Sequence, residues 1–173
     1  MGSERARILA LLLAVLCCAS ALAEPVPEYE LKAAFVFNFA VFTEWPQDAL
    51  AAGAPLALCG SAGTPLFGAL SQLNDKLVNG HRIAVHPSAD APRGCHVLVL
   101  EHGDRERWPQ LRRELAGAAV LTVSDDAASP GENAVIALAP HDKRIGFSVD
   151  LSAARAARLT LSSKLLRLAR SVQ

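Results

Sequence analysis

An excess of charge of either sign is missing from this chain. Seventeen Lys and Arg stand against 17 Asp and Glu, so the composition points neither to nucleic acid nor to a strongly cationic partner. Aromatic residues are scarce, at 5%. Cysteine is limited to four, and Cys17 and Cys18 both fall in the first 23 residues. Recognised catalytic and metal-binding spacings are also wanting. The histidines (His81, His86, His96, His102 and His141) contain no H-x-x-x-H pair, and none accompanies a cysteine at zinc-finger spacing. His96 follows Cys95 on an expected strand and should face the other way. There is no G-x-S-x-G elbow, no Walker loop and no G-x-G-x-x-G. The residues therefore offer no metal site, no cofactor and no enzyme active site, and favour a binding or regulatory role. After residue 23 no apolar run approaches the ~20 residues that span a bilayer.

The N-terminus, by contrast, is rich in pattern. Arg5 and Arg7 precede an uncharged apolar run, Ile8 to Leu16, and Ala21-Leu22-Ala23 supplies a small-x-small cleavage pattern. This predicts a secretory signal peptide over residues 1–23 and a mature chain beginning at Glu24. An uncleaved anchor is the alternative, but Ile8 to Ala23 is short for a span and Pro25 and Pro27 follow. Leu16 stands where a lipoprotein signal needs a small residue, and the arginines are not paired as a twin-arginine signal requires. Removing Arg5, Arg7 and Glu4 leaves 15 basic and 16 acidic residues, a net of −1. Residues 24–173 are enough for one domain with a real core. Cys59 and Cys95 then remain as an even pair in an oxidising compartment. A disulfide is the simplest reading, with two buried free thiols as the alternative.

Hydrophobic spacing predicts the elements. Leu31, Phe35, Phe39 and Phe42, with Val36 alongside, make one apolar face of a helix over Tyr29 to Thr43, which Trp45-Pro46 stops. Leu56 to Cys59 reads as a buried strand. Thr64 caps, and Pro65 opens, a helix to Leu73. Asn79-Gly80 is a turn into a strand from His81 to His86. Cys95 to Leu100 is nearly all apolar and so a central strand. Asp104 to Ala116 reads as a solvated helix with Trp108, Leu111 and Leu115 inward. Val120 to Val123 is a strand, and Ala134 to Leu138 with Arg144 to Val149 a hairpin turning near Pro140-His141-Asp142. Ser152 to Ala157 is a short helix, and Ser162 caps a last helix lined by Leu165, Leu168 and Val172. Residues 87–92 form a polar loop. Alternating strands and helices predict an α/β fold, a single-domain layered sandwich whose mixed, partly parallel sheet is flanked by helices.

Three groups could carry function. The aromatic run Phe35, Phe39, Phe42 and Trp45 serves either core packing or a partner-docking surface. Gly60-Ser61-Ala62-Gly63 lies between a strand and a helix, where Gly60, Ser61 and Gly63 would either make a tight turn or cradle a small ligand. Ser124-Asp125-Asp126 ends a strand, but adjacent carboxylates on extended chain face opposite ways. Cys59 would be a nucleophile only if reduced, and helix capping explains Ser162-Ser163-Lys164 better than a serine–lysine pair does.

Three stretches resemble the YfiR family of periplasmic proteins. These are Glu30-Leu31-Lys32-Ala33-Ala34-Phe35 running to Trp45-Pro46; Cys59-Gly60 with Cys95-His96-Val97-Leu98; and Arg144-Ile145-Gly146-Phe147-Ser148-Val149-Asp150-Leu151 leading to Leu161-Ser162-Ser163-Lys164-Leu165-Leu166-Arg167-Leu168. The resemblance implies an α/β fold, export to the periplasm, a Cys59–Cys95 bridge and a homodimer. It also implies repression of an inner-membrane diguanylate cyclase, or a related sensor kinase, through its periplasmic region. An outer-membrane lipoprotein would relieve that repression, so the chain would control cyclic di-GMP and biofilm formation. Asp150 stands where the family usually has asparagine, and a second cysteine pair of its best-known member is absent. A periplasmic small-molecule sensor is the alternative, and an exported hydrolase a third reading.

Overall fold

The first helix forms because its sequence suits both ends. In the computed structural model, which describes residues 27–88, 92–125, 134–141 and 144–173, α1 runs Glu28–Val41. Glu28 and Glu30 occupy its first turn, where the helix dipole favours negative charge. Thr43 Oγ1 donates back to the Phe39 carbonyl at 2.7 Å as the chain leaves the helix for β1 (Thr43–Glu44). The predicted signal peptide, residues 1–23, lies outside the described residues.

Next come β2 (Leu56–Gly60), α2 (Pro65–Ser71), β3 (Leu77–Val78) and β4 (His81–Pro87). Thr64 Oγ1 accepts from the Phe67 N–H at 3.0 Å and so caps α2. Asn79 and Gly80 both have positive φ, 51° and 88°, as a two-residue hairpin turn needs. Of the loop at 87–92, Ala89, Asp90 and Ala91 lie outside the described residues. The order continues with β5 (Val97–Leu100), α3 (Trp108–Glu114), β6 (Leu121–Ser124), β7 (Ile136–His141), β8 (Arg144–Val149), α4 (Leu151–Ala156), β9 (Thr160–Leu161), α5 (Ser163–Leu168) and β10 (Ser171–Val172).

Eight strands form one sheet in the order β10-β8-β7-β6-β5-β2-β4-β3, and β1 pairs with β9 in a small second sheet. The pairs β10–β8, β7–β6, β6–β5, β5–β2 and β2–β4 are parallel, while β7–β8 and β3–β4 are antiparallel. The chain steps outward from β2 to β4 and then returns to lay β5 on the other side of β2. The strand order therefore reverses between β2 and β5.

Helices cover both faces. Val97 and Val99 of β5 and Leu121 and Val123 of β6 join the large core beneath α1 and α2, with Val36, Phe39, Leu66 and Leu70. Leu98 and Leu100 face the other way and pack with Leu111, Leu115, Val120, Cys59 and Cys95. The layered α/β sandwich with a mixed sheet stands as expected.

Three local expectations change. The helix predicted from Asp104 starts later, at Trp108, because Asp104 is only 5% exposed and closes a 3₁₀ turn over His102–Asp104. Its Oδ2 accepts from the Glu101 N–H at 2.9 Å. The last helix stops at Leu168 because Ala169 is extended. Leu165 is buried, but Leu168 is 68% exposed and Val172 42%, and Val172 belongs to a strand beside β8. Leu31 is 38% exposed and so lies off the buried face of α1. Among the described residues no helix is long and apolar enough to cross a membrane.

Candidate functional site

The aromatic run divides once folded. Phe39 is 1% exposed, its ring centroid 4.9 Å from that of Phe147 on β8 and 5.9 Å from that of Phe35. It is a core residue, which corrects its candidacy as a docking contact. Phe35, Phe42 and Trp45 are half-buried against the same core. Trp45 Nε1 donates to the His96 carbonyl at 3.2 Å, so the polar end of the indole is committed inside the molecule. The outward apolar residues of α1 are instead Tyr29, 41% exposed, and Leu31.

Beside them, a groove of about 310 Å³ lies between α1 and the β7–β8 hairpin, with Leu31, Lys32, Asp125, Pro140, Arg144 and Ile145 in its walls. An ion network fixes its floor. Lys32 Nζ meets Asp125 Oδ2 at 2.8 Å and Glu28 Oε1 at 2.6 Å. The Lys32 and Asp125 side chains are mostly covered, at 13% and 12% exposure. Burial alone depresses the lysine, but its hydrogen bonds to Asp125 and Glu28 outweigh that and hold the ammonium above its ordinary value. Asp125, weighed from the sequence as half of an acidic pair, thus serves to anchor α1. Asp126, the other half, lies outside the described residues.

A second polar cluster sits at the carboxyl ends of β2 and β5, where the strand order reverses and ligands of open α/β sheets commonly bind. Ser61 Oγ donates to Asp104 Oδ2 at 2.9 Å, and Thr64 Oγ1 donates to Glu101 Oε1 at 2.7 Å. Burial raises Glu101 above the usual carboxylate range, aided by the negative Asp125 and Asp104, while Thr64 and Lys32 pull it down. The Gly60–Gly63 turn is thereby tied to the loop after β5, with the Ser61 hydroxyl committed to a carboxylate. Gly60 is where backbone and side chains crowd, since a Cβ there would lie 3.2 Å from Leu70 and 3.3 Å from Phe67. Gly63 has φ +82° in open space, which suits glycine for the turn itself.

Cys59 and Cys95 form the disulfide, with Cα atoms 5.9 Å apart. Of the two readings open from the residues, the bridge is the one realised, and it removes Cys59 as a nucleophile. His96, next in sequence, had no assigned role. Its Nδ1 accepts from the Ala57 N–H at 2.9 Å, which leaves Nε2 to donate to the Ala49 carbonyl at 3.1 Å. The ring thus ties β2, through Ala57, and the segment before it, through Ala49, to the residue that leads into β5. Among the described residues no group of three His, Cys, Asp or Glu could hold a metal ion.

A family model described as YfiR/HmsC-like matches residues 29–170. No curated protein matches the chain. Among solved structures, the chain is similar to a conserved domain protein from Vibrio cholerae O1 biovar El Tor, at 13% identity and a TM-score of 0.49. The match takes in 84% of this chain and spans 60% of the length of that one.

Proposed function

The chain belongs to the YfiR/HmsC-like family, a periplasmic and regulatory rather than catalytic group that acts through contacts with signalling proteins, and from that premise we propose that it is a periplasmic repressor that binds the periplasmic region of an inner-membrane diguanylate cyclase. The observation that carries this reading is the family match across residues 29–170. The surface that α1 presents supports it. Leu31 is an exposed apolar residue on one rim of the groove, with Pro140 and Ile145 from the hairpin opposite, and Tyr29 is exposed on the same helix. Aromatic and aliphatic anchors beside fixed charges make a suitable centre for an interface. The anchoring Lys32–Asp125 pair gives that surface a rigid base, so that little conformational freedom is lost when a partner docks. Export by the leader at 1–23 would deliver the chain to the partner's compartment, and the disulfide would be stable there.

The test is genetic and uses one point variant. Deleting the gene should raise cellular cyclic di-GMP, and the native chain should restore it. Leu31→Glu should be exported and folded, because the position is exposed and such substitutions cost within about 0.5 kcal/mol, yet it should fail to restore repression. Unchanged cyclic di-GMP on deletion would refute the reading.

A further inference from the structure

A larger groove lies away from this surface. Leu121 and Val123 of β6 face the core under α1, so Thr122 between them faces the side covered by α3. On that side a cavity of about 460 Å³ opens between α3 and α4, within the ~300–1,000 Å³ of pockets that take small molecules. Val120 and Val135 contribute its apolar floor, Trp108 one wall and Ala156 the other. The polar group in that floor is already engaged, since Thr122 Oγ1 accepts from the Val135 N–H at 3.0 Å.

Arg112 and Arg113 of α3 line the same cavity. Among the described residues neither meets a carboxylate at ion-pair distance. No acidic side chain among the described residues lines the cavity; of the acidic groups at its flanking helices, Glu114 accepts from Gln110 at 2.7 Å, and Asp150 accepts from Ser152 Oγ at 2.6 Å and from the Ala153 N–H at 2.9 Å. A flat indole, a floor of aliphatic carbon and two guanidinium groups free to fork onto an acid group suit one ligand class. We propose that this groove binds a small organic anion, with its apolar body between Trp108 and Ala156 and its carboxylate, sulfonate or phosphate at Arg112 and Arg113. The site is on the opposite face from Leu31, so its occupancy can be measured apart from partner docking.

The experiment uses the oxidised full-length mature protein and two dyes that share an apolar body. 8-Anilinonaphthalene-1-sulfonate carries the acid group, and N-phenyl-1-naphthylamine lacks it. The sulfonate should bind saturably at one site, more tightly than the neutral dye, and quench Trp108 fluorescence read in a Trp45→Phe background. Arg112→Gln with Arg113→Gln should weaken the sulfonate about tenfold or more, the loss expected for a charge-assisted hydrogen bond, and leave the neutral dye unchanged. Ala156→Phe, at an exposed position of α4, should block both dyes while the thermal midpoint stays put. Equal affinity for the two dyes in the native protein would overturn the proposal. So would sulfonate binding that survives either the paired arginine change or Ala156→Phe.

Discussion

Breaking the Cys59–Cys95 bridge is the perturbation whose cost follows most directly from chain geometry. The cysteines are 36 positions apart. Closing a loop of that length removes unfolded-state entropy worth about 4 kcal/mol at 25 °C in the chain-entropy treatment. That is a large share of the ~5–15 kcal/mol by which a domain is stable. A second contribution is local. Both cysteines are 3% exposed and pack with Leu98, Leu100, Leu111, Leu115 and Val120. Reduction keeps every sulfur atom in that cluster and loses only the cross-link. Cys59→Ala with Cys95→Ala loses the cross-link and also leaves small cavities. Urea unfolding of the oxidised, reduced and double-alanine proteins separates the two effects. The reduced protein should lie about 4 kcal/mol below the oxidised one, and the double-alanine variant lower still. A reduced protein as stable as the oxidised one would refute the reasoning, because the entropy of the unfolded chain would not then be what the bridge limits. A double-alanine variant no less stable than the reduced protein would show that the sulfur atoms contribute nothing by packing.

Two further outcomes follow from the core and the acidic cluster. Phe39→Ala should cost about 3–5 kcal/mol, since the ring is fully buried between Phe35 and Phe147; a loss under 1 kcal/mol by chemical denaturation would place Phe39 outside the core. Glu101 holds its proton at higher pH when folded than when unfolded, because it is buried and faces Asp125 and Asp104. The stability tied to that proton is fully present below the unfolded value and is lost as pH rises through the raised folded value. Glu101→Gln, always neutral, should therefore flatten the pH dependence of urea midpoints across that window, and curves that stay parallel to the native protein's would contradict the assignment.

The elements read well from the sequence wherever a local rule governs them. Thr64-Pro65 marks the start of α2 because a hydroxyl cap and a proline suit the same few residues in any protein. Asn79-Gly80 marks a hairpin because both positions need positive φ. Cys95 to Leu100 reads as a central strand because it is nearly all apolar, and the strand forms over its last four residues, Val97–Leu100. What escaped the sequence was contact between distant segments. Lys32 and Asp125 are 93 positions apart, and nothing local to either announces the pair. Asp104 looked like a solvated residue at a helix start, yet folding buries it against Ser61 and the Glu101 amide. Leu168 and Val172 kept a helical spacing that a single extended residue, Ala169, interrupts. The reversal of strand order at β2 and β5, which brings Ser61, Thr64, Glu101 and Asp104 together, depends on how the units pack and leaves no mark on any one of them. The groove between α3 and α4 is of the same kind, because its walls come from segments that the sequence keeps far apart.

The most direct measurement is a binding titration of the purified, oxidised mature chain against the purified periplasmic region of each diguanylate cyclase in its host. Saturable binding to one of them, lost on Leu31→Glu while the variant remains folded, is the result expected of a repressor that docks through α1. Binding to none, or binding that Leu31→Glu leaves intact, would contradict it.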